Sequence, residues 1–239
     1  ILAIDDLRTP DKFESYLRPI LDRLKRIDGR APVSIYCNAL EPDHQQFQSW
    51  LDEGLSLEVH TLSHPCPLLA KGDFSGAVNT VMGGIDLLNT IPNNHAVAYR
   101  MPCCDSINSP SPRFYSEIFP MTSAQGNYFK IDSSIMCLFT SQDKSLPRDL
   151  ILDKNQKERF TKYVPFPSFT TTIENYPYPY VINNVCWEFP ALAPSDWEAQ
   201  NLHGVNNEIT VEDWKRALDL TVIKKGVFTW IFHPHGWIR

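Results

Sequence analysis

The sequence predicts an α/β fold of parallel strands joined by crossover helices, either an α/β barrel or a doubly wound sheet. Two observations predict it. Short apolar runs alternate with stretches of helical periodicity through the first hundred residues, and the pattern returns near the C-terminus. Acids, imidazoles and a guanidinium each follow an apolar run, where the strand C-termini of a parallel fold would lie.

Ile1-Leu2-Ala3-Ile4 reads as a buried strand running into Asp5 and Asp6. Adjacent carboxylates resist joint ionisation, so a metal ion or an arginine is expected beside them, unless they cap the next helix. Thr9 is better placed for that cap, with Pro10 in the first turn behind it. Phe13, Leu17, Ile20, Leu21, Leu24 and Ile27 then recur at helical spacing until Gly29. Residues 33–37 read as a second strand, 43–53 as a helix with Phe47, Trp50 and Leu51 inward, and 55–59 as a third strand ending at His60. After a loop with Pro65 and Pro67, Asp73 caps a helix whose inward face runs from Phe74 to Leu88. Residues 96–99 form a fourth strand that ends on Arg100.

The middle is less regular. Residues 105–120 are rich in Ser and Pro, with a short helix near Phe114 and Phe119, and 134–139 suit a strand. Residues 141–205 carry many prolines and aromatics, including Tyr176, Tyr178 and Tyr180, and read as an elaborated insertion with a strand over 181–187. Thr210 to Asp213 has capping-box character before a helix with Trp214, Ala217, Leu218 and Thr221 on one face. Gly226 stops that helix, and residues 227–232 form a last strand ending on His233-Pro234-His235.

The 239 residues suit one domain with a sizeable core, and 43% hydrophobic with 21% charged residues is ordinary for a globular enzyme. A net charge of −6 without any basic run argues against nucleic acid or an anionic membrane as the main partner. No apolar stretch reaches the length of a membrane span. The chain starts inside a strand without Met, so it is expected to be an excised domain with any targeting segment elsewhere. The six cysteines show no CxxC pair and no zinc-finger spacing; their even number permits disulfides, buried free thiols are the favoured reading, and they do not decide the compartment.

Asp5 and Asp6, His60, Arg100 and His233 would thus share one rim of a parallel fold, delivered by four strands. His60 and His64 lie four residues apart and would share one face of a helical turn, which suits two ligands of one metal. A carboxylate would complete a two-His, one-carboxylate set. No Glu follows His60, so this is not the HExxH motif.

With these residues in view, the chain resembles the polysaccharide deacetylase family (carbohydrate esterase family 4, the chitin-oligosaccharide deacetylase homology domain). The double acid Asp5-Asp6 matches the family's first motif, and His60-Thr61-x-x-His64 with Pro65 matches the second. Arg100-Met101-Pro102 matches the start of the third, and His233 the last. The resemblance implies a distorted (β/α) barrel with fewer than eight regular strands, spanning residues 1–239 as one catalytic domain with the irregular insertion at about 141–205.

It further implies a hydrolase of non-peptide C–N bonds that removes acetyl groups from an N- or O-acetylated carbohydrate. A divalent metal, most often zinc, would be held by Asp6, His60 and His64. Asp5 would be the general base, paired with Arg100, and His233 the general acid. The backbone N–H of Cys103 would bind the oxyanion. The family also favours an extracytoplasmic location.

There are departures. Leu7 stands where a Gly usually follows the double acid, and Cys103-Cys104-Asp105 replaces an aromatic and a small residue in the third motif. The fourth motif has no firm place: Asp213-Trp214 looks like it, although helix capping explains Asp213 as well, and Asp132 is another candidate partner for the acid His. His235 competes with His233, which is preferred because it directly follows the strand. The other readings are a non-catalytic carbohydrate-binding relative, an amidohydrolase acting on a non-sugar amide, and an Fe(II) site for oxygen chemistry.

Overall fold

The computed structural model describes residues 1–7, 10–69, 72–104, 113–164 and 171–233. Thr9, Asp105 and His235 therefore lie outside the described residues.

β1 (Leu2–Leu7) buries Ala3, Ile4 and Leu7. α1 (Pro10–Asp28) places Phe13, Leu17 and Leu21 on one stripe against the core, each worth about 2 kcal/mol of burial. Gly29, at φ 76°, follows it. β2 (Val33–Cys37) leads to α2 (Gln45–Glu53), which buries Phe47 and Trp50. His44 caps α2 by accepting from the Gln46 N–H, and Gly54 ends it at φ 101°. β3 (Ser56–Val59), α3 (Phe74–Leu88) with Asp73 as cap, and β4 (Ala98–Tyr99) complete the regular alternation.

Short helical turns at Pro102–Cys104, Phe114–Ile118 (the short helix expected there) and Thr161–Tyr163 accompany the other elements: β5 (Ile131–Asp132), β6 (Met136–Leu138), α4 (Arg148–Ile151), β7 (Thr172–Glu174), β8 (Tyr180–Ile182), β9 (Cys186–Glu188), β10 (Ala191–Leu192), α5 (Asp196–His203), α6 (Glu208–Lys224) and β11 (Trp230–Phe232).

The main sheet has eight strands in the order β11-β1-β2-β3-β4-β5-β9-β8. All neighbours run parallel except β8, which pairs antiparallel with β9. The seven parallel strands make the distorted barrel, and their C-termini lie at one rim. A small parallel sheet, β10-β6-β7, lies against the side between β9 and β11. There the Leu192 N–H donates to Thr229 O at 2.8 Å, just before β11.

Several expected elements differ, and the strands expected over 96–99 and 134–139 are shortened to Ala98–Tyr99 and Met136–Leu138. The run 181–187 is a hairpin rather than one strand, because Asn183 and Asn184 turn the chain at φ 48° and 58°. α6 begins at Glu208 behind an Asn207 cap, so Thr210 and Asp213 lie inside the helix and form no capping box. The last strand is shorter than residues 227–232, because β11 starts at Trp230. Tyr176, Tyr178 and Tyr180 pack on one another, with ring centroids 5.0 and 6.0 Å from Tyr176.

Candidate active site

The first strand does not alternate simply at its end. Ile4 pairs with Ile35 and Leu7 with Cys37, so β1 holds one extra residue there. Asp6 adopts φ 67° within this bulge. In a regular strand adjacent side chains face opposite ways. The bulge re-aims them, and both Asp5 and Asp6 line one cavity at the barrel rim.

β3 delivers His60 to the same cavity. Its Nδ1 lies 2.8 Å from Arg100 O. A carbonyl only accepts, so Nδ1 carries the proton and Nε2 presents its lone pair to Asp6. The stretch from His60 to His64 is not a helical turn, as the spacing suggested. Thr61 and His64 sit at φ 66° and 53°. The loop is held by Thr80 Oγ1, which accepts from the N–H groups of Leu62 and Ser63, and by Thr61 Oγ1, which accepts from the His64 N–H. Gly83 and Gly84 of α3 allow this close approach: a Cβ on Gly83 would lie 2.7 Å from Leu62 Cδ1, and one on Gly84 2.8 Å from Val59 Cγ1. The two imidazoles still meet, with ring centroids 5.0 Å apart.

One ligand atom from each of Asp6, His60 and His64 lies within 4.8 Å of the others. Asp6 Oδ1 is 3.3 Å from His64 Nε2 and 3.9 Å from His60 Nε2. Two tetrahedral ligands, each about 2.1 Å from one ion, lie roughly 3.4 Å apart. One carboxylate oxygen and two imidazole nitrogens at this spacing fit a small divalent cation.

Arg100 leaves β4 fully buried. Its Nη1 donates to Asp5 Oδ1, its Nε to Ser133 O and its Nη2 to Ser133 Oγ, each at 2.8 Å. Its guanidinium also stacks 4.3 Å from the Tyr36 ring centroid. Ser133 is held by Asp132, which accepts from the Ser133 N–H, from Ser134 Oγ and from Tyr115 Oη. Asp132 thus supports Arg100 through Ser133. Burial pushes the Asp132 and Glu188 carboxyls up.

His233 follows β11. Asp196 receives it twice: Oδ1 lies 2.7 Å from Nδ1, and Oδ2 accepts from the His233 N–H at 2.6 Å. Burial works against the charged ring, but the Asp196 carboxylate, aided by Asp5 and Asp6, outweighs it and pushes the His233 value up to about 9. Asp213 belongs elsewhere. It is fully buried, accepts from Arg159 at 2.9 Å and from Tyr163 Oη, and forms an ion pair with Lys162 at 3.2 Å.

The cavity has a volume of about 250 Å³. Met101, Met136, Ile231 and Trp197 supply apolar wall, while Asp5, Asp6, His60, His64 and His233 supply the polar part. Cys103 also lines it, at φ 59°.

No family model matches the chain, and no curated protein matches it significantly. Solved structures do. A crystal structure from Mycobacterium smegmatis, assigned to the polysaccharide deacetylases, aligns over 98% of this chain and 77% of its own at 15% identity, with a TM-score of 0.53. The chain has the polysaccharide deacetylase fold. A polysaccharide deacetylase from Bacillus cereus aligns over 96% of this chain and 89% of its own, at 16% identity and a TM-score of 0.42. The catalytic domain of a peptidoglycan N-acetylglucosamine deacetylase from Eubacterium rectale covers 100% and 90%, at 13% identity and a TM-score of 0.40. The fold assignment rests on the first of these.

Within this polysaccharide deacetylase fold, several residues had no assigned place in the sequence. Asp196 holds His233 and the adjacent Trp197 lines the cavity, whereas the identical dipeptide Asp213-Trp214 lies elsewhere. Ser133 and Ser134 directly follow the strand residue Asp132. The cysteines divide: Cys66 and Cys103 are bonded to each other, whereas Cys37, Cys104, Cys137 and Cys186 are buried free thiols.

Proposed function

We propose that the chain is a metal-dependent deacetylase that hydrolyses the acetyl amide of an N-acetylated carbohydrate. One observation carries this reading: a two-His, one-carboxylate donor set shares a small cavity with an Arg-paired acid and an Asp-paired imidazole. Amide hydrolysis needs each of these parts.

Asp6, His60 and His64 would hold the ion, zinc by the chemistry of the set. When bound, such an ion brings the ionisation of water near neutrality and polarises the acyl carbonyl. Asp5, bonded to the Arg100 guanidinium, takes the proton of the attacking water. The Cys103 N–H donates to the oxygen that gains charge as the carbon becomes tetrahedral. His233, charged up to about pH 9 beside Asp196, gives its proton to the departing amine nitrogen. The amine leaves neutral with the proton from His233, the acid becomes acetate by losing its hydroxyl proton to solvent, and exchange with solvent returns Asp5 and His233 to their starting states. Met101, Met136 and Ile231 give the acetyl methyl an apolar seat and limit water at the reacting carbon.

The test is acetate release from N-acetylated oligosaccharides, with Asp5→Asn beside the wild type and metal measured in both. Release by the wild type, lost in the variant at unchanged metal content, is the expected result. A folded, metal-loaded wild type that releases no acetate from any acetylated saccharide contradicts the reading.

A further inference from the structure

The Cys66–Cys103 disulfide joins two rim loops of the cavity. Cys66 lies two residues past His64, and Cys103 three past Arg100. The Cα atoms are 6.1 Å apart. The two loops are not equally well held without it. The His60–His64 loop is fixed by the Thr80 and Thr61 hydroxyls, and Asn38 Nδ2 donates to His60 O at 2.9 Å. On the other loop, Arg100 is fixed by Ser133, and the Met101 N–H donates to Ser134 Oγ at 2.9 Å. Beyond Met101 the chain turns through Cys103 at φ 59° and Cys104 at φ 45°, left-handed conformations that L side chains resist. Such conformations persist where the surroundings impose them.

The disulfide is placed to impose this one, with the hydrogen-bonded His loop as its anchor. We propose that the Cys66–Cys103 disulfide is a positioning device for turnover: it fixes the backbone of Cys103 at the cavity wall, so that its N–H meets the developing oxyanion. It is not needed to retain the metal. The inference rests on the reading of Cys103 given above. It adds a residue, Cys66, that touches neither metal nor substrate yet sets the rate.

The experiment compares wild type, Cys66→Ser, Cys103→Ser and the double variant for kcat and KM of acetate release, metal per chain and thermal midpoint. Each protein is assayed before and after treatment with a phosphine reductant, and free thiols are counted. We expect kcat to fall by about tenfold or more in all three variants, with KM and metal content unchanged, because a misplaced donor weakens only the transition state. Reductant should lower the wild type to the same level, reoxidation should restore it, and the double variant should not respond. If the serine variants do not fold, the reductant series on folded wild type decides alone. Unchanged kcat after two further thiols appear, with only the thermal midpoint lowered, overturns the proposal, and so does loss of metal from the variants. Absence of acetate release from the oxidised, metal-loaded wild type overturns the functional reading and this proposal together. Normal release from the variants overturns this proposal alone.

Discussion

Arg100 Nη1 donates to Asp5 Oδ1 at 2.8 Å, and their side chains are 0% and 4% exposed. β1 and β4 stand three places apart in the sheet. In a flat sheet that separation would be about 14 Å, so a direct bond between them requires the sheet to curl. The same contact therefore reports the barrel and holds the proposed base. It explains how Asp5 is tolerated beside a second acid at the end of β1: Asp5 faces a guanidinium, while Asp6 lies beside the two imidazoles that would share a cation with it.

Breaking this pair should be costly. Arg100→Met leaves Asp5 buried without its cation, and Ser133 O and Oγ lose a donor. Urea denaturation should show a loss of about 3–5 kcal/mol. Adding Asp5→Asn to that variant should recover part of the loss, because the unpaired charge is then gone.

The His233–Asp196 pair sets a pH dependence. The folded value of His233 is raised to about 9 from the usual 6.5, so its stabilisation is fully present below pH 6.5 and is lost as pH rises through 9. Asp196→Asn removes the charge that raises it. The alkaline fall in kcat should then begin at lower pH, and the alkaline loss of stability should shrink. A kcat–pH profile and a pH series of thermal midpoints check the two effects separately.

The two Asp-Trp dipeptides should separate cleanly. Asp213→Ala strips a buried acceptor from Arg159, Lys162 and Tyr163 and should cost about 3–5 kcal/mol of stability. At temperatures where the variant stays folded, kcat should be unaffected. Asp196→Ala should instead reduce kcat by at least about a hundredfold at temperatures where it stays folded, as the acid loses its orientation.

Asp5 and Asp6 should fail differently. Asp5→Asn should keep metal and lose turnover, while Asp6→Asn should lose metal first. Metal analysis beside single-turnover acetate release distinguishes them. Equal metal loss in both would contradict the separate roles.

The rim residues were legible in the sequence because each follows an apolar strand, and strand direction in a parallel fold fixes which end they occupy. Asp5, Asp6, His60, Arg100 and His233 all reach the cavity or its wall for that reason. Backbone detail was not legible. The bulge that turns Asp5 and Asp6 to one cavity, and the left-handed residues that bring His64 to His60, carry no glycine to announce them. Partner choice was not legible either. Whether Asp132, Asp196 or Asp213 faces His233 depends on how α5 packs beside β11, and no local pattern encodes that distance. The hairpin at Asn183-Asn184 did carry its turn signal, but the apolar residues on either side read as one continuous strand.

The most direct measurement is metal per chain in purified wild type and in His64→Ala. Nε2 of His64 lies 3.3 Å from Asp6 Oδ1 and is one of three donors in the set. The account predicts one divalent ion per wild-type chain and its loss from the variant while the fold is kept. Stoichiometric metal in both proteins, or none in wild type after zinc loading, would contradict it.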